Sequence, residues 1–115
     1  MNTKTVYELK RDTAEFRKLS EIHEGCVEES ARNTPGGGSC PEVLATRSTK
    51  EEALELLKDY KYSIEYMTYR VNYYLVEEYY VEENTYDENG EWVSGGDIWE
   101  FCGGLEEELE RQRKY

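Results

Sequence analysis

The sequence predicts an α+β fold, in which a small antiparallel sheet contains a long β-hairpin (about 68–101) and carries two to three helices on one face. Two observations support this prediction. A capping box opens an amphipathic helical pattern near residue 48, and the hydrophobic period changes to two residues from residue 68 onward. The chain has 115 residues, of which 37% are hydrophobic, so we expect residues 1–115 to form a single domain with a thin core.

The first predicted elements are a strand and a helix. Residues 3–10 alternate apolar and polar side chains, as is typical of a short strand. Residues 13–32 place apolar side chains at three- and four-residue steps, which predicts a helix, although Gly25 disfavours a continuous one. Residues 33–41 are rich in glycine and proline and predict a flexible loop. The apolar stripe of the helix would comprise Phe16, Leu19, Ile22 and Cys26.

A second strand and a second helix are predicted next. Residues 42–47 alternate in the manner of a strand. The segment from Ser48 to Glu51 reads as a capping box, and the apolar face that follows predicts a helix over 49–65. Ile64 would be the last apolar residue on that face.

The hairpin is predicted from alternation and from its turn. Residues 68–83 alternate between an apolar face and a mixed face of tyrosines and acids, which indicates a long strand. Asn89-Gly90 is a strong hairpin-turn signal, and Gly95-Gly96 in the returning strand indicates a bulge. Residues 105–114 then predict a short helix.

The acidic charge is concentrated in the second half of the chain. The net charge is −12, with −3 in residues 1–67 and −9 in residues 68–115. From Val71 to Glu110 there are thirteen acidic and eight aromatic side chains, but no Lys or Arg. Such a surface attracts basic partners, and it disfavours direct binding to nucleic acid or to anionic membranes.

The mixed face of the hairpin is the predicted partner-binding site. Aromatic side chains are efficient interface anchors, and carboxylates pair well with arginine. Two acids four residues apart on one strand face lie roughly 13 Å apart, a spacing compatible with imitation of a phosphate backbone. The predicted partner-binding residues are Tyr74, Glu78, Tyr80, Glu82, Asp87, Glu88 and Glu91.

The sequence predicts no catalytic set, no cofactor and no metal site. His23, Cys26, Cys40 and Cys102 are the candidates for a zinc or thiol site, but their spacing lacks the tight pairs of specific zinc sites. Neighbouring acids on a strand point to opposite faces, so they do not converge as a glycosidase requires. We therefore expect a non-enzymatic protein, and a small zinc or thiol protein remains an alternative.

The cysteines and the N-terminal residues predict a cytoplasmic location. Three cysteines without a CxxC pair differ from the dense, even sets of secreted disulfide proteins. The basic residues near the N-terminus are followed by no apolar run of the signal-peptide type. No apolar stretch reaches the length of a membrane span.

The small size, the acidic charge and the Glu/Tyr-rich hairpin Tyr69–Phe101 resemble small acidic phage and mobile-element proteins, among them anti-CRISPR inhibitors of bacterial defence nucleases. This resemblance implies a protein that occupies the basic nucleic-acid channel of a nuclease, or blocks its assembly, without catalysis. It rests on no shared motif, so it assigns no role to any residue. The alternative is a structural module that forms a homodimer through the hairpin's apolar face or exposed edge.

Overall fold

We describe the protein from a computed structural model, which covers residues 2–33 and 41–114. The predicted α+β class is confirmed, and these described residues form an antiparallel sheet of five strands, three helices and a long hairpin. Most of the predicted loop at 33–41 lies outside the described residues. The elements are β1 (Thr3–Phe16), a 3-10 turn (Leu19–Glu21), α1 (Cys26–Asn33), β2 (Glu42–Arg47), α2 (Lys50–Leu57), β3 (Ser63–Met67), β4 (Tyr73–Asp87), β5 (Trp92–Phe101) and α3 (Leu105–Arg113).

The central strand of the sheet is β4. One edge of β4 pairs with β1 along its length, from Thr3 opposite Asp87 to Phe16 opposite Tyr74. The other edge is shared, because β3 pairs with its first residues and β5 with its last. The β2 strand pairs with the outer side of β1. All of these pairings are antiparallel, and the molecule extends 54 Å along its longest axis.

Helices α1 and α2 contact opposite faces of the sheet. Neighbouring residues of a strand point to opposite faces. Glu78 accepts hydrogen bonds from the backbone at the start of α1, whereas the ring of Tyr79 lies 4.7 Å from that of Tyr60, just after α2. The sequence predicts helices on one face, and the structure differs because β4 buries side chains on both. The buried side chains of β4 are Val76, Glu78, Tyr79, Tyr80, Val81 and Asn84.

The helix predicted over 13–32 is wrong for its first half. The β1 strand continues to Phe16, because β4 offers a pairing partner along that whole length. Gly25 has a φ of +83°, in the left-handed region that glycine adopts readily, and α1 begins only at Cys26. Ile22 and Cys26 are nevertheless buried, as their spacing indicates, although Ile22 follows the 3-10 turn and Cys26 begins α1.

The α2 helix ends at Leu57, so its predicted extension to residue 65 is wrong. Its capping box lies one residue later than predicted, since the Thr49 hydroxyl accepts a hydrogen bond from the Glu52 backbone N–H and donates one to the Glu52 carboxylate. Ile64 belongs instead to β3, where it is fully buried opposite Val76. The sequence therefore missed one strand of the sheet.

The hairpin turn and the glycine bulge are confirmed, although β4 begins at Tyr73 rather than near residue 68. Asp87 Oδ1 accepts hydrogen bonds from the backbone N–H groups of Asn89 and Glu91, each at 2.9 Å. The pairing of β4 with β5 shifts at three points, one of them at Gly95-Gly96. A Cβ atom at Gly95 would lie 2.4 Å from the Glu83 carbonyl oxygen, so the strands approach too closely there for any other residue.

Helix α3 covers the outer edge of β3. The Ile64 carbonyl accepts hydrogen bonds from Arg111 Nη2 at 3.0 Å and from Gln112 Nε2 at 2.9 Å. The Ile64 N–H donates to Glu108 Oε2 at 3.4 Å. Of the helices in residues 2–33 and 41–114, none has the length and apolar character needed to cross a membrane.

Candidate protein-interaction surface on the hairpin

Glu78 is fully buried, so the prediction that it is exposed to a partner is wrong. Its Oε2 accepts hydrogen bonds from the Gly25 N–H at 3.0 Å and the Tyr62 hydroxyl at 2.8 Å, and its Oε1 accepts from the Glu28 N–H at 3.2 Å. The carboxylate therefore satisfies N–H groups at the start of α1, which have no partner within the helix. Burial raises the pKa of Glu78, although the hydrogen bonds to the carboxylate oppose that shift.

Tyr80 is also buried, so the prediction that it is exposed to a partner is wrong as well. Its ring centroid lies 5.7 Å from that of Phe101, on the sheet face that α1 covers, and 1% of its surface is exposed. Burial raises the pKa of its hydroxyl. Tyr74 is half-buried at the other end of β4, where its ring centroid lies 5.0 Å from that of Tyr66. The predicted stripe on this face therefore does not form a continuous exposed surface.

Glu82 is held in an internal polar network. Its Oε1 accepts hydrogen bonds from Lys10 Nζ at 2.7 Å and from Asn84 Nδ2 at 2.8 Å. Asn84 also donates to Glu8 at 2.6 Å and accepts from the indole N–H of Trp92 at 2.8 Å. With Lys10 beside it, the charge of Glu82 is compensated within the chain and is poorly placed to attract a partner.

The acids at the hairpin turn divide into structural and exposed groups. Asp87 binds the backbone of the turn, whereas Glu88 and Glu91 are exposed. Of the predicted partner-binding acids, these last two have the exposure that a contact surface requires.

The outer strand β5 carries the most exposed aromatic side chains of the hairpin. Trp92, Val93 and Trp99 are 58%, 49% and 48% exposed, and the acids Asp97 and Glu100 lie beside them on the same strand. Sequence reasoning assigned none of these five residues to the site. The available signal is the glycine bulge, which breaks the strict alternation of side chains along β5. Asp97 pairs with Glu83, and the Trp99 indole also binds Glu83, so both lie with Glu100 on the sheet face that α2 contacts. Trp92 binds Asn84 on the opposite face. We call Asp97, Trp99 and Glu100 the β5 surface.

Trp99 already contacts a cation of its own chain. The Nζ of Lys50, at the start of α2, lies 4.4 Å from the Trp99 ring centroid, within cation–π distance. The indole N–H of Trp99 donates to Glu83 Oε2 at 3.2 Å. These two contacts fix the orientation of a half-exposed aromatic ring that is able to bind positive charge.

The thiols and the histidine do not form a reactive cluster in the part of the chain that the structure describes. Cys26 and Cys102 are buried and free, and burial raises the pKa of each thiol to about 11. His23 is exposed, with Nε2 3.6 Å from Glu29. No group of three or more potential metal ligands occurs within residues 2–33 and 41–114, and Cys40 lies outside them.

Comparison with known proteins finds no matching family model, no matching curated protein and no matching solved structure. The proposals below therefore depend on the chemistry of the surface itself.

Proposed function

We propose that this protein is a non-enzymatic inhibitor that uses the β5 surface to occupy a basic surface of a nucleic-acid-processing enzyme such as a nuclease. One observation carries the proposal. The exposed strand β5 presents Trp99 together with Asp97 and Glu100 on one face, in a segment of sequence from Val71 to Glu110 without Lys or Arg. The proposed contact site therefore lies on β5, the outer strand of the hairpin. It does not lie on β4 as the sequence predicts, because Glu78 and Tyr80 of that strand are buried.

Both residue types on the β5 surface suit a cationic partner. Tryptophan is among the residues that contribute most to interface affinity, and carboxylates bind arginine in bidentate pairs. The net charge of −12 would also accelerate the encounter with a basic surface. The bulges of β5 interrupt its regular pairing edge, so we propose contact through side chains rather than through addition of a strand.

A displacement assay tests this function. The protein is titrated into complexes of fluorescent single-stranded DNA with a panel of purified basic nucleases, at several salt concentrations. We expect release of the DNA, with an affinity that falls as ionic strength rises. Combined Asp97→Asn and Glu100→Gln substitution should weaken release by about tenfold. The matched control is combined Glu107→Gln and Glu110→Gln substitution at exposed acids of α3.

Two results would count against the proposal. One is retention of the DNA by every nuclease of the panel at all protein concentrations. The other is an equal loss of affinity in the β5 and α3 double variants, because net charge alone would then explain the effect.

A second candidate function, self-association, is favoured by an exposed corner between β3 and β4. Tyr66, Tyr69 and Val71 are 48%, 75% and 46% exposed, at the end of β4 opposite the hairpin turn. Arg70 lies over the ring of Tyr69 and has a φ of +65°, a strained conformation for a residue other than glycine. A homodimer through this corner could bury Tyr74, but Val76 is already buried within the chain.

Light scattering across a range of concentrations distinguishes this candidate. Self-association through the corner predicts a dimer whose dissociation constant rises when Tyr69 is replaced by Ser. A constant monomer mass up to high concentration would exclude it.

We also propose that the protein acts in the cytoplasm, where it would encounter a nuclease that processes intracellular nucleic acid. The support is chemical. Cys26 and Cys102 are both free thiols, as is usual in a reducing compartment.

A further inference from the structure

We infer that the outer edge of β2 pairs with the β2 strand of a second copy of this chain, so that two copies form a symmetric dimer with one continuous antiparallel sheet. Within residues 2–33 and 41–114, no strand pairs with that edge. The other edges are less suited to strand addition. Register shifts interrupt β5 at three points, and side chains of α3 bind the edge of β3 at Ile64.

The direction of the β2 backbone follows from the pairing of the sheet. The Cys102 N–H donates to the Tyr79 carbonyl at 2.9 Å, so the backbone of Tyr79 faces β5. Backbone direction alternates along a strand, so Tyr80 faces β1, and its partner Lys10 faces β4. Val43, which is opposite Lys10 in β2, therefore directs its N–H and C=O groups away from the sheet.

Thr46 is the second residue of β2 with outward backbone groups. It is opposite Glu8, which faces β4 as Lys10 does two residues later. The Thr46 carbonyl accordingly accepts a hydrogen bond from a side chain, Arg47 Nη1, at 2.9 Å. Val43 and Thr46 are both exposed. An antiparallel second copy can place its Thr46 opposite Val43 and its Val43 opposite Thr46, in two reciprocally hydrogen-bonded pairs.

The charges of β2 are self-complementary in the same register. Glu42 would lie opposite Arg47 of the second copy, at both ends of the paired strands. Glu42 and Arg47 pair within the chain with Arg11 and Tyr7, which are four residues apart and lie on one face. They share that face because Leu44 is an extra residue in the pairing with β1. The bulge thus brings both charges to the face on which they can meet across the two-fold axis.

Both charged groups are available for this contact. The Glu42 side chain is 57% exposed, and its Oε2 accepts from Arg11, so Oε1 remains for a second donor. Arg47 forms no ion pair with a carboxylate in the described ranges 2–33 and 41–114. In the dimer its guanidinium would exchange a neutral carbonyl for a carboxylate, which is the stronger acceptor.

The strand order keeps the acidic hairpin away from this contact. Strands β1 and β4 separate β2 from β5, and residues 68–115 carry −9 of the net charge of −12. Two copies joined through β2 would hold their β5 surfaces at opposite ends of the shared sheet, where repulsion between them is weak. Each β5 surface stays free, so the dimer goes beyond the proposed function and does not depend on it.

Sedimentation equilibrium of the full chain tests the inference. At roughly 0.15 M salt, where the Debye length is about 8 Å, we expect a monomer–dimer equilibrium between micromolar and millimolar protein, since one six-residue strand buries little area. Glu42→Arg and Arg47→Glu should each weaken the dimer about tenfold, because either variant sets like charges opposite each other at both ends. An equimolar mixture of the two variants should dimerise within about threefold of the wild type, since every pair is then opposite in charge.

The matched control is Glu65→Arg on β3, an exposed acid whose replacement changes the net charge as much as Glu42→Arg does. It should leave the dimer within about twofold of the wild type. Hydrogen exchange then locates the contact. The N–H groups of Val43 and Thr46 should exchange more slowly as protein concentration rises, whereas that of Tyr66 on β3 should not change.

Three results would each overturn the inference: a monomer at every concentration, equal effects of Glu42→Arg and Glu65→Arg, or a mixture of the two charge variants that stays monomeric. A dimer that is weakened by Tyr69→Ser, with slowed exchange at Tyr66 and not at Val43, would place the contact at the corner between β3 and β4. That result would overturn the inference as well.

Discussion

The Tyr62 hydroxyl donates a hydrogen bond to Glu78 Oε2 across 2.8 Å, and both side chains are buried. Tyr62 lies between α2 and β3, whereas Glu78 lies in the middle of β4 and binds the first N–H groups of α1. This pair therefore connects parts of the chain that sequence reasoning treated as separate. It also explains how a glutamate can occupy the core of a small protein, because three donors surround its carboxylate.

Loss of the Tyr62 hydroxyl should destabilise the protein. Tyr62→Phe keeps the ring but removes one of three donors to a buried carboxylate, so the free energy of unfolding should fall by about 1–3 kcal/mol. Urea denaturation followed by circular dichroism measures the change. The control Tyr66→Phe alters a half-exposed ring and should change stability by less than about 0.5 kcal/mol. Equal stability of the two variants would show that the buried bond contributes little.

Glu78 should make stability depend on pH in an unusual direction. Burial raises the pKa of this carboxyl in the folded protein, so the folded state binds the proton more tightly than the unfolded state. Its contribution to stability is therefore present at low pH, and it is lost as pH rises from the unfolded pKa through the folded pKa.

Comparison with Glu78→Gln isolates this effect, since Asp12, Cys26 and Cys102 are present in both proteins. Across a series of urea denaturations from acidic to neutral pH, the wild type should gain stability relative to the variant as pH falls. A difference that is independent of pH, or that grows as pH rises, would contradict the assignment.

Replacement by alanine should destabilise the folded protein more at Gly95 than at Gly96. Both Gly95 and Gly96 have positive φ angles, but an added Cβ meets the backbone of Glu83 only at Gly95. Gly95→Ala should therefore cost more than the roughly 1 kcal/mol expected from an unfavourable φ alone, and Gly96→Ala should cost about that amount. Thermal denaturation of the two variants gives the comparison. Similar melting temperatures would mean that the strands separate easily at the bulge.

The N-cap of α2 should be Thr49 rather than Ser48. Thr49→Ala removes a side-chain oxygen that accepts from the Glu52 backbone N–H at 3.3 Å, so it should cost about 1 kcal/mol. Ser48→Ala should cost less than about 0.5 kcal/mol. Chemical denaturation of both variants decides between the two registers, and the reverse order would support the capping box that the sequence predicts at residues 48–51.

The buried thiols should react slowly in the folded protein. Burial raises the pKa of Cys26 and Cys102 to about 11, so little thiolate is present near neutral pH. In a Cys40→Ser background, a thiol-specific chromogenic reagent should label both groups rapidly in denaturant and only slowly without it. Rapid labelling of the native protein would indicate that one of these cysteines is accessible.

Local chemistry made the hairpin and the second strand predictable from sequence. The turn at Asn89-Gly90 and the bulge at Gly95-Gly96 require backbone conformations that glycine adopts readily, and β2 has the predicted bounds. The errors arise where spacing is ambiguous. Ile64 continues the helical spacing of α2, but only the pairing with Val76 shows that it belongs to a strand. Phe16 likewise fits a helical stripe until its pairing with Tyr74 is known.

The site was less predictable than the fold, because exposure depends on which elements cover a strand. The alternation of β4 correctly places Glu78 and Tyr80 on one face, but nothing local shows that α1 covers that face. The concentration of acids and aromatics predicted a site on the hairpin, and the proposed β5 surface lies on its outer strand. The tryptophans of β5 were missed, since tryptophan in a predicted strand usually indicates core rather than surface.

The side chains of α3 that bind Ile64 also occupy a pairing position at the edge of the sheet. An uncovered strand edge is a template on which further chains stack into fibrils, and tyrosine-rich strands are prone to this process. Glu108, Arg111 and Gln112 already bind the outward N–H and carbonyl of Ile64. Helix α3 thus occupies an edge position on which a strand of another chain would otherwise be able to add.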